Sequence, residues 1–220
     1  MKKLIFVLVF ALSLTGFAQD AMTEGVAKSK QTMSSDNEQM QAQLAMVGDI
    51  LTTTYFKSDK TRSETFNLMS GNTTTIMNGE TKEMLTYMDN QMTGKMYSVS
   101  DMTISEEDMK DTQVVKGDET KTILGYVCQE YNVTVEKDGA TVAIDMYVTD
   151  KIQAMNPQVA QMGAKIDGFP LYMKMDVSQM GMALTITSEV TEINKETVSD
   201  EKFDMTPPEG YKKSDNLNGM

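Results

Sequence analysis

Apolar and polar positions alternate strictly over long stretches of the second half of the chain. Tyr131, Val133 and Val135 alternate with polar residues as far as Asp138-Gly139, and Val142, Ile144, Met146 and Val148 resume the alternation beyond it. Phe169, Leu171, Met173 and Met175 share one face of the next segment, and Met180, Met182, Leu184 and Ile186 one face of the segment after that. A period of two puts every second side chain on the same side, so each segment predicts a strand that is apolar on one side only. Asp138-Gly139 predicts a tight hairpin turn. The first half carries a similar signal with more threonine. Its runs are Ile50 to Lys57, Thr61 to Met69, Thr73 to Met77, Met84 to Met88 and Met92 to Val99. Between them stand Ser58-Asp59-Lys60, Ser70-Gly71-Asn72, Asn78-Gly79 and Asp89-Asn90. Short β-rich runs separated by turn residues are the pattern of an antiparallel meander.

Helical spacing is confined to two places. Ser35 followed by Glu38 reads as a capping box, and Met40, Leu44 and Val47 then predict an amphipathic helix from Asn37 to Val47. Asp150 to Lys165 carries Ile152, Met155, Val159 and Met162 and predicts a second helical stretch, divided or begun by Pro157. Strands with one apolar face need a cover. The expected architecture is therefore mainly β with a few short helices: a curved antiparallel sheet of about ten strands, a half-open β-barrel with a helical lid over its concave side.

The first residues add a destination. Lys2 and Lys3 precede the apolar run Leu4 to Leu14, and Gly16 and Ala18 are small residues before Gln19. Residues 1–18 thus read as a secretory signal peptide, too short to span a bilayer, followed by one domain over 19–212 and a C-terminal tail over 213–220. The expectation is an exported, periplasmic protein, soluble after cleavage and without stable membrane insertion. No lipoprotein cysteine follows the cleavage site, because the only cysteine is Cys128. The formal charge of −12 becomes −12 − 2 = −14 when Lys2 and Lys3 are removed, which argues against a nucleic-acid partner.

Composition narrows the chemistry. The chain has 22 methionines and no histidine, which removes Ser-His-Asp and Cys-His catalysis. Ser199-Asp200-Glu201-Lys202 has a Ser-x-x-Lys spacing but reads as a turn before the last strand, and Glu106, Glu107, Asp108 and Asp111 as a solvated connection. Cys128 reads as a buried small hydrophobe and Gly125 as a bulge in its strand. No cofactor and no enzymatic activity are expected.

The apolar face formed by Tyr131, Val133, Val142, Ile144, Met146, Phe169, Leu171, Met173, Met182, Leu184 and Ile186 has two readings. It is a solid core, or it lines a cavity for a lipid or other hydrophobic small molecule, with methionine chosen because its unbranched thioether re-packs around varied shapes. A separate alternative is a Cu(I) site of soft thioether ligands, Met173 and Met175 with Met180 and Met182. Those Met-x-Met pairs also arise from any apolar strand face. A structural or interaction protein of the cell envelope with a filled core is the remaining reading.

Several short motifs occur in a recognisable order. They are Tyr55 to Arg62, Lys121-Thr122-Ile123-Leu124-Gly125-Tyr126-Val127-Cys128-Gln129-Glu130-Tyr131, Met146 to Asp150, Gly168-Phe169-Pro170-Leu171, Phe203-Asp204-Met205 and Pro208-Glu209-Gly210-Tyr211. With them the chain resembles the exported bacterial family called domain of unknown function 4412. That family is similar in layout to the lipoprotein carriers LolA and LolB, open antiparallel half-barrels with helices as a lid. The resemblance implies a concave face able to hold acyl chains and carries no catalytic residues with it. LolB-type receptors are lipid-anchored, and this chain lacks the cysteine for that.

Overall fold

A computed structural model of the protein describes residues 21–67, 71–90, 93–105, 107, 109–137, 139–160, 162, 166–179, 182–215 and 217. The expected signal peptide, and Met92, Glu106, Asp108, Asp138 and Met180, lie outside them. The alternating segments form strands as the pattern requires: β8 (Tyr126–Lys137), β9 (Ala140–Thr149), β10 (Phe169–Gln179) and β11 (Met182–Asn194). Their register aligns the apolar positions into rows. Tyr131 lies opposite Met146, which lies opposite Met173; Val133, Ile144, Met175 and Ile186 make the next row, and Val135, Val142, Val177 and Leu184 the third. The first half contributes β2 (Ile50–Lys57), β3 (Lys60–Asn67), β4 (Gly71–Asn78), β5 (Glu83–Asn90) and β6 (Gly94–Asp101).

Two strands lack apolar alternation and were not expected. β1 (Glu24–Ser34) pairs with β2 on one side and β11 on the other, and so joins the two meanders. β7 (Thr112–Ile123) forms one edge of the sheet, where a polar, charged sequence suits a strand with one unpaired side. With the short β12 (Lys212–Lys213), which runs parallel to β6, the result is one open, curved sheet of twelve strands in the order β12-β6-β5-β4-β3-β2-β1-β11-β10-β9-β8-β7. Gly125 is not a bulge. Leu124 and Gly125 have φ of 50° and 84° and make the two-residue turn between β7 and β8, the left-handed pair that the twist of a hairpin favours.

The helices are smaller than the lid that the pattern suggests. α1 (Glu38–Val47) occupies the expected span, but its cap is Asn37, whose Oδ1 accepts from the Met40 backbone N–H at 3.0 Å. Ser35 instead donates to the Ala183 carbonyl at 2.6 Å. No residue of α1 is buried, and only Met40, Leu44 and Val47 are half-buried, so it is no lid over the sheet. α2 is one turn, Pro157–Ala160, with proline in the first position, where its missing N–H costs least.

The core has three parts. Phe56, Cys128, Ile152, Phe169, Leu171 and Val190 pack together at one end of the sheet. Val133, Ile144, Met146, Val148 and Met173 pack against Val159, Met162 and Ile166. On the other side of the sheet, the segment after β11 lays Val198 and Phe203 over Val26 and Tyr55. Lys202 sits 4.0 Å from the centre of the Tyr55 ring, and Tyr211 stacks edge-on against Tyr87 at 5.5 Å. That segment covers the outer surface of the first meander before β12 pairs at the edge.

Candidate functional site

The chain between β9 and β10 forms a strap across the sheet. It is fixed at its start by a bridge in which the Met22 N–H donates to the Lys151 carbonyl at 2.7 Å and the Gln153 N–H to the Met22 carbonyl at 2.8 Å. Further on, the Met155 N–H donates to Thr61 Oγ1 at 3.1 Å, and Asn156 Oδ1 accepts from the Gln158 and Val159 N–H groups. Gly168, at φ 121°, turns the chain into β10, where a Cβ would lie 2.3 Å from the Thr149 carbonyl oxygen. Between these fixed ends the strap presents Val159, Met162 and Ile166 to the sheet.

Of the residues expected to line a cavity, Val133, Ile144, Met146 and Met173 are in contact with the strap cluster, and Met146 is fully buried. Tyr131 and Val142 are partly buried against the same cluster, while Leu184 and Ile186 continue its rows on β11. Phe169 and Leu171 belong to the other cluster, beside Phe56 and Cys128. The eleven residues therefore do not surround one space. Of the methionines of the copper alternative, Met180 lies outside the described residues, and Met182 stands apart from Met173 and Met175 along the strands. Met175 lies opposite Ile186 whereas Met182 lies opposite Gln179, about 13 Å further along the strand at the usual rise per residue. Among the described residues no group of three or more His, Cys, Asp or Glu side chains is placed to hold a metal. Ser199 caps the turn Asp200–Phe203, and Lys202 Nζ lies 3.4 Å from Glu64, so the two are engaged separately. Burial pushes the Cys128 thiol up to about 11.

Apolar space lies instead along the strap's margin. A cleft of about 650 Å³ separates the strap from the connection after β6 and is lined by Met102, Ile104, Met109, Met155, Val159 and Ile166 among others. A smaller space of about 120 Å³ shares Met102, Ile104 and Ala160 with it and adds Met77 and Met84, which face each other across β4 and β5. Among the described side chains, none of the expected residues lines either space. Glu107 and its acidic neighbours give this connection the sequence of a solvated stretch. The available signal was the apolar residues interspersed there, Met102, Ile104 and Met109. No helix among the described residues is long and apolar enough to cross a membrane.

An open, curved, mainly β sheet crossed by one strap is thus the class of structure. The chain belongs to the family described as domain of unknown function (DUF4412), matched over residues 30–211. No curated protein matches it. Two solved structures of PNGF-II, in C2 and P21 crystal forms, are each 15% identical to it, with TM-scores of 0.46 and 0.48. They cover 86% and 88% of this chain, which spans only 30% and 32% of theirs.

Proposed function

We propose that this chain is an exported, periplasmic, non-enzymatic protein that binds or carries a hydrophobic ligand, a lipid or acyl chain, in a half-barrel of LolA/LolB-like layout. The observation that carries this reading is the methionine- and isoleucine-lined cleft of about 650 Å³ beside the strap. Its volume falls in the usual range for small-molecule sites, and Lys82 is the single charged residue among the described residues of its wall. Thioether side chains adapt to chains of different shape at little cost. Under this reading the strap takes the part of the helical lid of such a carrier, and the cleft at its margin takes the ligand.

The test is native mass spectrometry of the protein isolated from its own envelope, together with titration of a fluorescent fatty acid. A lipid-sized adduct lost on denaturation, and probe binding abolished by Ala160→Trp without a change in melting temperature, are the expected results. A clean mass with no probe binding to the unaltered protein would refute the proposal.

A further inference from the structure

The inward rows change chemistry at the seam between the two meanders. On β8–β10 they hold tyrosine, valine, isoleucine and methionine. Continued onto the first meander they hold hydroxyls: Ser29 opposite Thr52, which lies opposite Thr65, which lies opposite Thr73; and Thr54, Ser63, Thr75 and Thr86 in the next row. The inner face of a sheet packed for stability alone is served by valine, which matches threonine in shape and loses no hydrogen bonds to water. Here hydroxyls were placed on several adjacent strands, and a cavity of about 310 Å³ opens over them, roofed by strap residues 156–158.

Three properties of this cavity define its occupant. First, the described residues of its wall include no Asp, Glu, Lys or Arg, in a chain of which 24% is charged. An ionised ligand would be desolvated there without a counter-charge, so the occupant is neutral. Secondly, the wall both donates and accepts. Thr52 and Thr65 hydroxyls are 2.9 Å apart and those of Thr54 and Ser63 3.2 Å; each pair uses one proton internally and retains one proton and free lone pairs. Gln31 and Gln158 add amides that, among the described residues, have no protein partner, and Asn156 uses its Oδ1 on the strap and keeps its Nδ2. Thirdly, Phe169 and Met173 give one end of the wall an apolar surface.

We infer that this cavity binds an uncharged, hydroxyl-rich group of one or two sugar rings, free or as the head group of a glycolipid. The hydroxyls and amides take the equatorial O–H groups, and the C–H face of the ring lies against Phe169 and Met173. The site is independent of the apolar cleft, which has its own lining apart from Asn156 of the strap, and either can fail without the other.

The experiment is an NMR titration of the 15N-labelled protein with neutral mono- and disaccharides, with the corresponding uronate and amino sugar as charged counterparts. Alongside it runs co-sedimentation with phosphatidylcholine vesicles with and without a neutral glycosyl diacylglycerol. Saturable shifts at strands β1–β4 with soluble sugars identify a free saccharide as the occupant. Sedimentation only with glycolipid vesicles identifies a head group. Charged counterparts are expected to bind at least about tenfold more weakly, and Gln31→Leu to weaken binding about two- to tenfold, the value of one hydrogen bond. Thr52→Val with Thr65→Val keeps the strand's shape and is expected to weaken binding by a similar factor per hydroxyl. No shift with any neutral sugar and no glycolipid-dependent sedimentation overturns the inference. So does unchanged affinity in both variants, or equal binding of the uronate.

Discussion

Replacing Met146 by alanine tests whether the strap is seated on the sheet or merely hangs beside it. Met146 has no exposed surface and lies in register between Tyr131 and Met173, in the cluster that contains Met162 of the strap. Burial of such a side chain is worth about 1.5–3 kcal/mol, and the space left behind adds to the loss, giving about 3–4 kcal/mol in all. With a urea slope of about 2 kcal/mol/M, the midpoint should fall by about 1.5–2 M. Met162→Ala should cost about 2–3 kcal/mol by the same reasoning. The decisive quantity is the double variant. Side chains sharing one packed cluster show a coupling of about 0.5–3 kcal/mol, whereas independent sites add to within about 0.5 kcal/mol. Urea unfolding followed by circular dichroism measures all four corners of the cycle. If Met162→Ala costs under about 0.5 kcal/mol and the two changes are additive, the strap does not fill the face, and the packing described above is wrong.

Three further outcomes are expected. Gly168→Ala forces a Cβ against the Thr149 carbonyl at a left-handed φ and should cost about 3 kcal/mol or more; a melting temperature within a degree or so of the parent would contradict that geometry. The Cys128 thiol, buried and raised to about 11, should resist a thiol reagent at about pH 8 in the native protein and react fully in urea, so rapid native labelling would show that its cluster opens. Lys174 Nζ at 2.7 Å and Thr185 Oγ1 at 2.6 Å hold the Asp176 carboxyl below its ordinary 3.8. A depressed carboxylate contributes stability that is complete above 3.8 and lost as the pH falls through the lowered value, so Asp176→Asn should flatten the decline in melting temperature below about pH 4. Parallel declines in the two proteins would count against it.

Strands β8–β11 were legible because each buries one face: Val133, Ile144, Met146 and Met173 stand at every second position, and the sheet has no other way to hide them. β1 was not legible, although it lies in the middle of the sheet, because Ser29, Gln31 and the lysines Lys28 and Lys30 give it no apolar period. Its place is set by pairing on both sides, with burial confined to Gly25, Val26 and Ala27 at one end. β7 was missed because an edge strand needs little apolar surface. α1 shows the converse: its cap and spacing predicted a helix correctly, but spacing does not say what a helix touches, and this one touches almost nothing. The methionine content pointed to an adaptable apolar surface, while the cleft proposed as a ligand site is lined by residues outside the alternating face. Alternation marks the residues that fill a core, while a cleft is lined by those left over at its margin, such as Met102 and Met109, which follow no period.

The pairing of β1 with β11 also sets a problem of timing. Every other neighbouring pair of long strands is close in sequence, joined by a short turn, by the segment that carries α1 or by the strap, and forms from nearby residues. The seam does not: the Lys28 ammonium meets the Glu192 carboxylate at 2.8 Å across a separation of 164 residues. Closing so long a loop is the entropic step that slows folding, while local hairpins assemble quickly. The two meanders are therefore expected to form early and the seam to join them at the barrier. Ala27→Gly, on β1 at the seam, should lower the refolding rate, whereas a change of equal cost within the β8–β9 hairpin should act mainly on unfolding. Stopped-flow refolding of the two variants separates these cases, and equal refolding rates would place the barrier elsewhere.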